Sequence, residues 1–242
     1  WLFHDMPRTE DGGIQHVVFG SENDQQLWDD TLMMSIIPLT KLGLLLNKPE
    51  YVEEAKKQFL IHIKYLCDKK TGLWYHGWTF EGMHNFAEVH WGRGNSWVTI
   101  AIPEFLDLVA LPENDAVRQI LVDTLNRQLE TLQTCQDKSG LWHTILLDPT
   151  SYLEASCTAG FAFGTLRGIR KRYVDKKFID MGLKAVQAVL DNIDETGELQ
   201  QVSAGTAMGE HADFYKNIPI TAMPYGQSMA ILALVEYLHF NI

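Results

Sequence analysis

Val98-Thr99-Ile100-Ala101-Ile102, followed by Phe105-Leu106 and Leu108-Val109, is apolar on nearly every face that a helix would present. Such a helix has to be buried on all sides. It falls in a predicted segment at about Asn95–Ala110, and three more of the same character fall at about Asp30–Leu46, Glu154–Arg170 and Tyr225–Phe240. Between them lie charged, one-faced helices at about Glu50–Asp68, Glu113–Gln136 and Asp175–Asn192. In the first of these, Val52, Ala55, Phe59, Ile63 and Leu66 fall at the three- and four-residue steps of an amphipathic helix.

A short motif repeats with the same rhythm. Gly13-Ile14-Gln15-His16, Gly72-Leu73-Trp74-Tyr75-His76, Gly140-Leu141-Trp142-His143 and Gly197-Glu198-Leu199-Gln200 recur roughly every 60 residues. The glycine reads as a left-handed helix stop, and Cys67 and Cys135, each five residues ahead of it, read as packing residues. A buried helix alternating with a half-buried one implies an inner ring inside an outer ring, because no pair can bury its inner helix alone. The predicted fold is therefore all-α, an (α/α)6 toroid. An open solenoid is the alternative, but its repeats are typically shorter. Seven helices are legible where such a toroid needs twelve, and Trp1-Leu2-Phe3-His4-Asp5 resembles neither a start nor a leader peptide. Residues 1–242 are thus expected to form a single toroid domain that is incomplete at its N-terminus.

Composition narrows the function. The chain carries 20 Lys and Arg against 31 Asp and Glu, a net charge of −11. That balance argues against nucleic acid and anionic membrane surfaces as partners. No apolar run reaches the roughly 18 residues of a membrane span. Cys67, Cys135 and Cys157 cannot all pair and show no C-x-x-C spacing, which fits a reduced cytoplasm and gives no zinc site. No phosphate loop, Ser-His-Asp order or metal spacing appears, so neither cofactor nor metal is expected. Oligomeric state is not legible.

The loops from outer to inner helices, about Gly12–Asp29, Gly72–Gly94, Gly140–Leu153 and Gly197–Tyr225, hold Trp28, Trp74, Trp78, Trp91, Trp142 and most of the histidines. The opposite loops, Asn47-Lys48-Pro49 and Leu111-Pro112, are short and plain. Long loops on a rigid scaffold carry function. Aromatic faces mixed with His, Arg and Asp suit a small oligosaccharide, whose rings offer apolar faces and whose hydroxyls need fixed polar partners. Trp74 and Trp142 read as core of the repeat. In Leu27-Trp28-Asp29-Asp30-Thr31-Leu32-Met33-Met34, two acids stand at the mouth of an apolar run. They read either as a helix cap or as an acid in a dry pocket whose pKa is raised towards acid–base use. Arg93, in His90-Trp91-Gly92-Arg93-Gly94-Asn95-Ser96-Trp97, offers a planar fork suited to a carboxylate; pairing with an acid such as Glu88 is the plainer alternative. His76, His16 and His143 are candidate contacts.

Met6-Pro7-Arg8-Thr9 through Gly12-Gly13 to His16, Trp28-Asp29-Asp30-Thr31-Leu32, Trp74-Tyr75-His76 and Trp91-Gly92-Arg93-Gly94-Asn95-Ser96-Trp97 together resemble the unsaturated rhamnogalacturonyl hydrolases, glycoside hydrolase family 105, related to the unsaturated glucuronyl hydrolases. The resemblance implies removal of a Δ4,5-unsaturated uronic acid from the non-reducing end of a pectin fragment by hydration of a vinyl ether. It places the acid/base aspartate on Asp30, which would protonate C4 and take a proton from the water adding at C5. Trp28, His76, Trp91, Arg93 and Trp97 match substrate-lining positions. The family's second active-site aspartate has no counterpart here, and Asp5 is a poor substitute. The rivals are another α/α-toroid sugar enzyme (an inverting glycosidase, with Glu88, Asp148 or Glu154 as second carboxyl, or an epimerase) and an inactive sugar-binding remnant.

Overall fold

The computed structural model describes residues 1–240. In chain order the helices are α1 (Ile37–Leu45, continuing a wide π turn at Leu32–Ile36), α2 (Pro49–Leu66), α3 (Gly92–Val109), α4 (Ala116–Cys135), α5 (Ala155–Arg170), α6 (Ile179–Asp191), a one-turn α7 (Ala212–Lys216) and α8 (Pro224–Phe240). Three short antiparallel pairs lie in the loops: β1 (Gln26–Trp28) with β2 (Gly77–Thr79), β3 (Trp142–His143) with β4 (Leu153–Glu154), and β5 (Val202–Ser203) with β6 (Ile220–Thr221). Helices α1, α3, α5 and α8 form the inner series, α3 packing on α1 and α5, and α5 on α8, while α2, α4 and α6 lie outside. This is the layered arc of an α/α toroid.

The middle of the arc meets the sequence expectation: Gly92–Pro103 of α3 and Ala155–Leu166 of α5 are buried without a break. Its two ends do not. Leu44, Leu45 and Leu46 of the α1 segment and Ile231, Val235 and Leu238 of α8 are exposed. These two helices have an inner neighbour on one side only, so part of their apolar surface has nothing to pack against. The one-turn α7 has no amphipathic signal and was not legible.

The glycines of the repeat are not helix stops. Helix α2 ends at Leu66, with Cys67 already extended, and Gly72 follows as the left-handed residue (φ +73°) of a separate turn closed by its N–H on the Asp68 carbonyl. Gly140 and Gly197 repeat that turn on Asp137 and Asp194, and Gly12, not Gly13, repeats it on Thr9. With Gly12 in register, His16 and His76 occupy the same place in successive repeats. Two residues after each glycine a backbone N–H is taken by a side chain from a neighbouring helix or loop: Ile14 by Gln58, Trp74 by Asn95, Trp142 by Thr158, Leu199 by Gln227. Asn95 also donates to the carbonyls of Trp74 and Trp91, fixing the loop that carries His76 to the start of α3. Trp74 and Trp142 are fully buried core, as expected. Burial pushes the half-buried thiols of Cys67 and Cys135 up to about 11 and about 12, far from the thiolate that reactivity requires.

His62 of α2 gives the fold a pH dependence. It is fully buried, Nδ1 donates to the Gln58 carbonyl at 2.8 Å, and Nε2 meets no partner among the described residues. Burial holds it down to about 4. The unfolded chain binds a proton at this residue below about 6.5 and the folded chain does not until about 4, so stability falls with pH across that window, by ~3 kcal/mol in total. Thermal melts from pH 7 to 4 are expected to show this loss, and His62→Gln is expected to flatten it; an unchanged slope in the variant would assign the acid limb to other groups.

Candidate active site

Strand β1 pairs with β2 so that Trp28 lies opposite Gly77, and the Asp29 N–H donates to the His76 carbonyl at 3.0 Å. This short pairing brings the acids and His76 together. Gly77 lets the Met208 side chain lie against the strand, since an added Cβ would fall 2.2 Å from Met208 Cε and displace it. Neither side chain caps a helix: Asp30 is already helical, and neither oxygen of Asp29, the residue before it, accepts a hydrogen bond among the described residues.

Asp30 points at His76, its Oδ2 3.3 Å from Nε2. On the far side of that ring, Nδ1 lies 2.7 Å from the Tyr215 hydroxyl, which accepts the Gly209 N–H at 3.1 Å. That hydroxyl can donate to Nδ1 or to Met208 Sδ, 3.7 Å away; in the tautomer where Nδ1 accepts, the imidazole proton lies on Nε2, facing Asp30. Trp28 stacks on His16 (4.7 Å, 14°) and meets His76 edge-on at 5.2 Å. His16 Nδ1 is 2.9 Å from Thr31 Oγ1, and burial lowers its pKa against the pull of Asp30.

The electrostatics reverse the sequence expectation for Asp30. Burial does push its carboxyl up, but the bond and charge of His76, then the charges of His16 and Arg93, outweigh burial and hold it at about 2. The raised acid is Asp29. It is 0% exposed, neither carboxyl oxygen meets a donor among the described residues, and burial, then the neighbouring Asp30, push it well above the carboxylate range.

Of the expected residues, Asp30, His76, Trp28 and His16 come together directly. Trp91 stands behind them, 4.3 Å from the His76 ring. Arg93 is not a free fork. Its guanidinium is sandwiched by Trp91 and Tyr225 at 4.6 and 4.7 Å and donates to the Ser203 and Ala204 carbonyls and to the hydroxyls of Ser203 and Thr206. The acid near it is Glu154, at 3.9 Å, not Glu88. Arg93 thus clamps the 203–206 loop and reaches Asp30 through its charge. Trp97, 6% exposed, packs in the main apolar core. His143 is spent on the Ser151 carbonyl. Asp29 and Tyr215 were missed: adjacent acids give no sign of which one turns inward, and Tyr215 arrives from a loop with no periodic signal.

A cleft of about 500 Å³ opens beside Trp28, lined by Val18, Asn23 and Gln26 on one side and by Thr206, Met208 and Glu210 on the other. The clamped loop is therefore one wall of it. Asp29, Asp30 and His76 each present a donor atom within 4.8 Å of the others, a spacing a divalent cation could also use. Arg93 already supplies positive charge to Asp30, and His76 Nε2 faces it as a proton donor, so the arrangement suits proton transfer better than cation binding. Tyr215→Phe removes the bond that orients His76; it is expected to lower kcat about tenfold, the equivalent of one hydrogen bond of ~1.4 kcal/mol, and to cost about 1–3 kcal/mol of stability because the buried Gly209 N–H loses its acceptor. Unaltered kcat would show that His76 is held by packing alone.

The profile of Glycosyl Hydrolase Family 88 matches residues 1–241. The chain belongs to that family. It is 35% identical over 241 residues to the unsaturated rhamnogalacturonyl hydrolase YesR of Bacillus subtilis, covering 98% of this chain and 68% of that protein. It superposes with a TM-score of 0.99, at 57% identity, on a crystal structure described as a possible member of the GH105 family from Salmonella enterica serovar Paratyphi A, covering all of this chain and 64% of that one. A family 105 glycoside hydrolase from C. acetobutylicum, at 23% identity and a TM-score of 0.87, shares the fold. This family 88 chain thus spans about two thirds of the length of these relatives.

Proposed function

We propose that the chain removes a Δ4,5-unsaturated uronic acid from the non-reducing end of pectin-derived, rhamnogalacturonan-type oligosaccharides by hydrating the vinyl ether. One observation carries the reading: Asp30 is set against His76 with one carboxyl adjoining it, Asp29, which is wholly buried, while the acid that lines the cleft itself, Glu210, is exposed. An inverting glycosidase needs a second carboxyl about 6.5–9.5 Å from the first with a water between them. Asp29 is too close and too enclosed for that. Asp148 is paired with Lys216 and Glu154 is bonded to the Cys157 and Ser203 amides, so neither is free as a base. Hydration of an alkene needs one carboxyl to deliver a proton to C4 and to receive one from the water adding at C5; the resulting hemiketal then opens and releases the aglycone.

In this reading Trp28 and His16 offer apolar ring faces to the sugar, and His76 holds Asp30. Arg93 contributes positive charge towards the uronate from behind, with Trp91 and Trp97 as apolar bulk. The relative named as an unsaturated rhamnogalacturonyl hydrolase supports the choice of uronide. We place the activity in the cytoplasm, a reading supported by three unpaired cysteines; no helix among the described residues is long and apolar enough to cross a membrane. The test is turnover of an unsaturated rhamnogalacturonan disaccharide beside its saturated counterpart. Loss of the alkene's ultraviolet absorbance with the saturated sugar untouched is expected, and cleavage of the saturated sugar would overturn the proposal.

A further inference from the structure

The acid that has no role in this scheme is Asp29. Its carboxyl is packed against the start of α3 so closely that a Cβ on Gly94 would fall 2.4 Å from Oδ2 and 2.5 Å from Oδ1. It is 0% exposed and lacks a hydrogen-bond donor on either oxygen. A buried carboxylate with no donor is costly, whereas the neutral acid needs only one acceptor. An acceptor stands beside it: an oxygen of Asp30 lies within 4.8 Å of an oxygen of Asp29 and of a ring nitrogen of His76.

We propose that Asp29 is a positioning residue that holds one proton in common with Asp30, so that the pair, and not Asp30 alone, is the acid presented to the alkene. The inference rests on the hydration reading and deepens it. Asp30 by itself is held ionised by His76, His16 and Arg93 and would carry no proton at neutral pH. Asp29, raised by its burial and by the neighbouring Asp30, keeps its proton. Two carboxyls this close titrate as a unit, the first proton leaving easily and the second held. The step balances. The Asp29 O–H breaks as a proton passes to Asp30, and the Asp30 O–H breaks as C4 takes that proton. Both acids are then ionised beside the positive charge forming at C5. The water that adds to C5 loses one proton to Asp30, and the pair again holds one.

Asp29→Asn separates proton sharing from support, because the amide keeps the shape and a hydrogen-bond donor but has no proton to yield. With an unsaturated rhamnogalacturonan disaccharide as probe, kcat is expected to fall at least a hundredfold while KM changes less than threefold. The residual rate should climb as pH is lowered, following the small fraction of Asp30 that is protonated, where wild type is flat. An Asn variant with wild-type kcat and profile would overturn the proposal. Infrared difference spectra supply a readout that does not need turnover: wild type at neutral pH should show a protonated-carboxyl band that shifts in D2O and is missing from Asp29→Asn. Absence of that band in wild type would overturn the proposal even if the variant fails to fold. Turnover by wild type tests the substrate and the band tests the pair, so failure of one is not mistaken for failure of the other.

Discussion

Asp30→Asn is expected to leave a folded chain that no longer consumes the alkene of an unsaturated uronide. The substitution is isosteric, and the side chain it alters neither caps a helix nor fills the core; its principal contact is the 3.3 Å approach of Oδ2 to His76 Nε2. An amide there can still meet the imidazole, but it cannot deliver a proton to C4 or accept one from water. A positioned general acid or base contributes about 10²–10⁴-fold, and here one group serves both half-steps, so the loss should lie at the upper end or beyond detection. Circular dichroism and the melting temperature should stay close to wild type. Turnover retained within tenfold would remove Asp30 from the chemistry, and with it the reading of the cleft as a hydratase site.

The two halves of the site differ in how far the sequence disclosed them. His76 and His16 were legible because they lie in the glycine-led repeat, and Trp28 and Asp30 because an aromatic and two acids stand at the mouth of an apolar run; loops joining outer to inner helices bring both features to one end of the barrel. The state of those groups was not legible. A dry aromatic wall around Asp30 suggested a raised carboxyl, yet His76, His16 and Arg93, remote in sequence, set its charge in the opposite direction. Arg93 was misjudged for a related reason. Between two glycines and two tryptophans it looked like a fork waiting for a ligand, but the whole first half of α3 is buried, and a buried guanidinium must satisfy its donors inside the protein. Its partners, Ser203 to Thr206, are over a hundred residues away and carry no pattern. The helices were easier, since an all-apolar segment has one stable destination; only α1 and α8, each with an inner neighbour on one side, departed from it.

Gly164→Ala is expected to be the most damaging single methyl group in the fold. In α5 this glycine faces α3, and a Cβ would lie 2.1 Å from the Thr99 carbonyl oxygen and 2.7 Å from its carbonyl carbon. The obstacle is backbone inside a buried helix, so no rotamer change relieves it. Gly160, one turn earlier, meets Ser96 in the same way, at 2.7 Å from its Cβ, which marks the line along which the two central inner helices touch. Alanine favours helix over glycine by about 1 kcal/mol, but overpacking a tight core costs typically 1–3 kcal/mol and more where nothing can move. The net loss should be about 2 kcal/mol, or roughly 4–8 °C in melting temperature for a chain of this size. Separation of α3 from α5 would also shift Arg93 and Gly94, which lie at the α3 N-terminus against the 203–206 loop and Asp29, so activity should fall with stability. Gly205→Ala is the control, with no atom within 4 Å of the added Cβ and an expected change close to zero. Equal melting temperatures for the two variants would show that α3 and α5 slide apart at little cost, and would contradict the close crossing on which the placement of the acids depends.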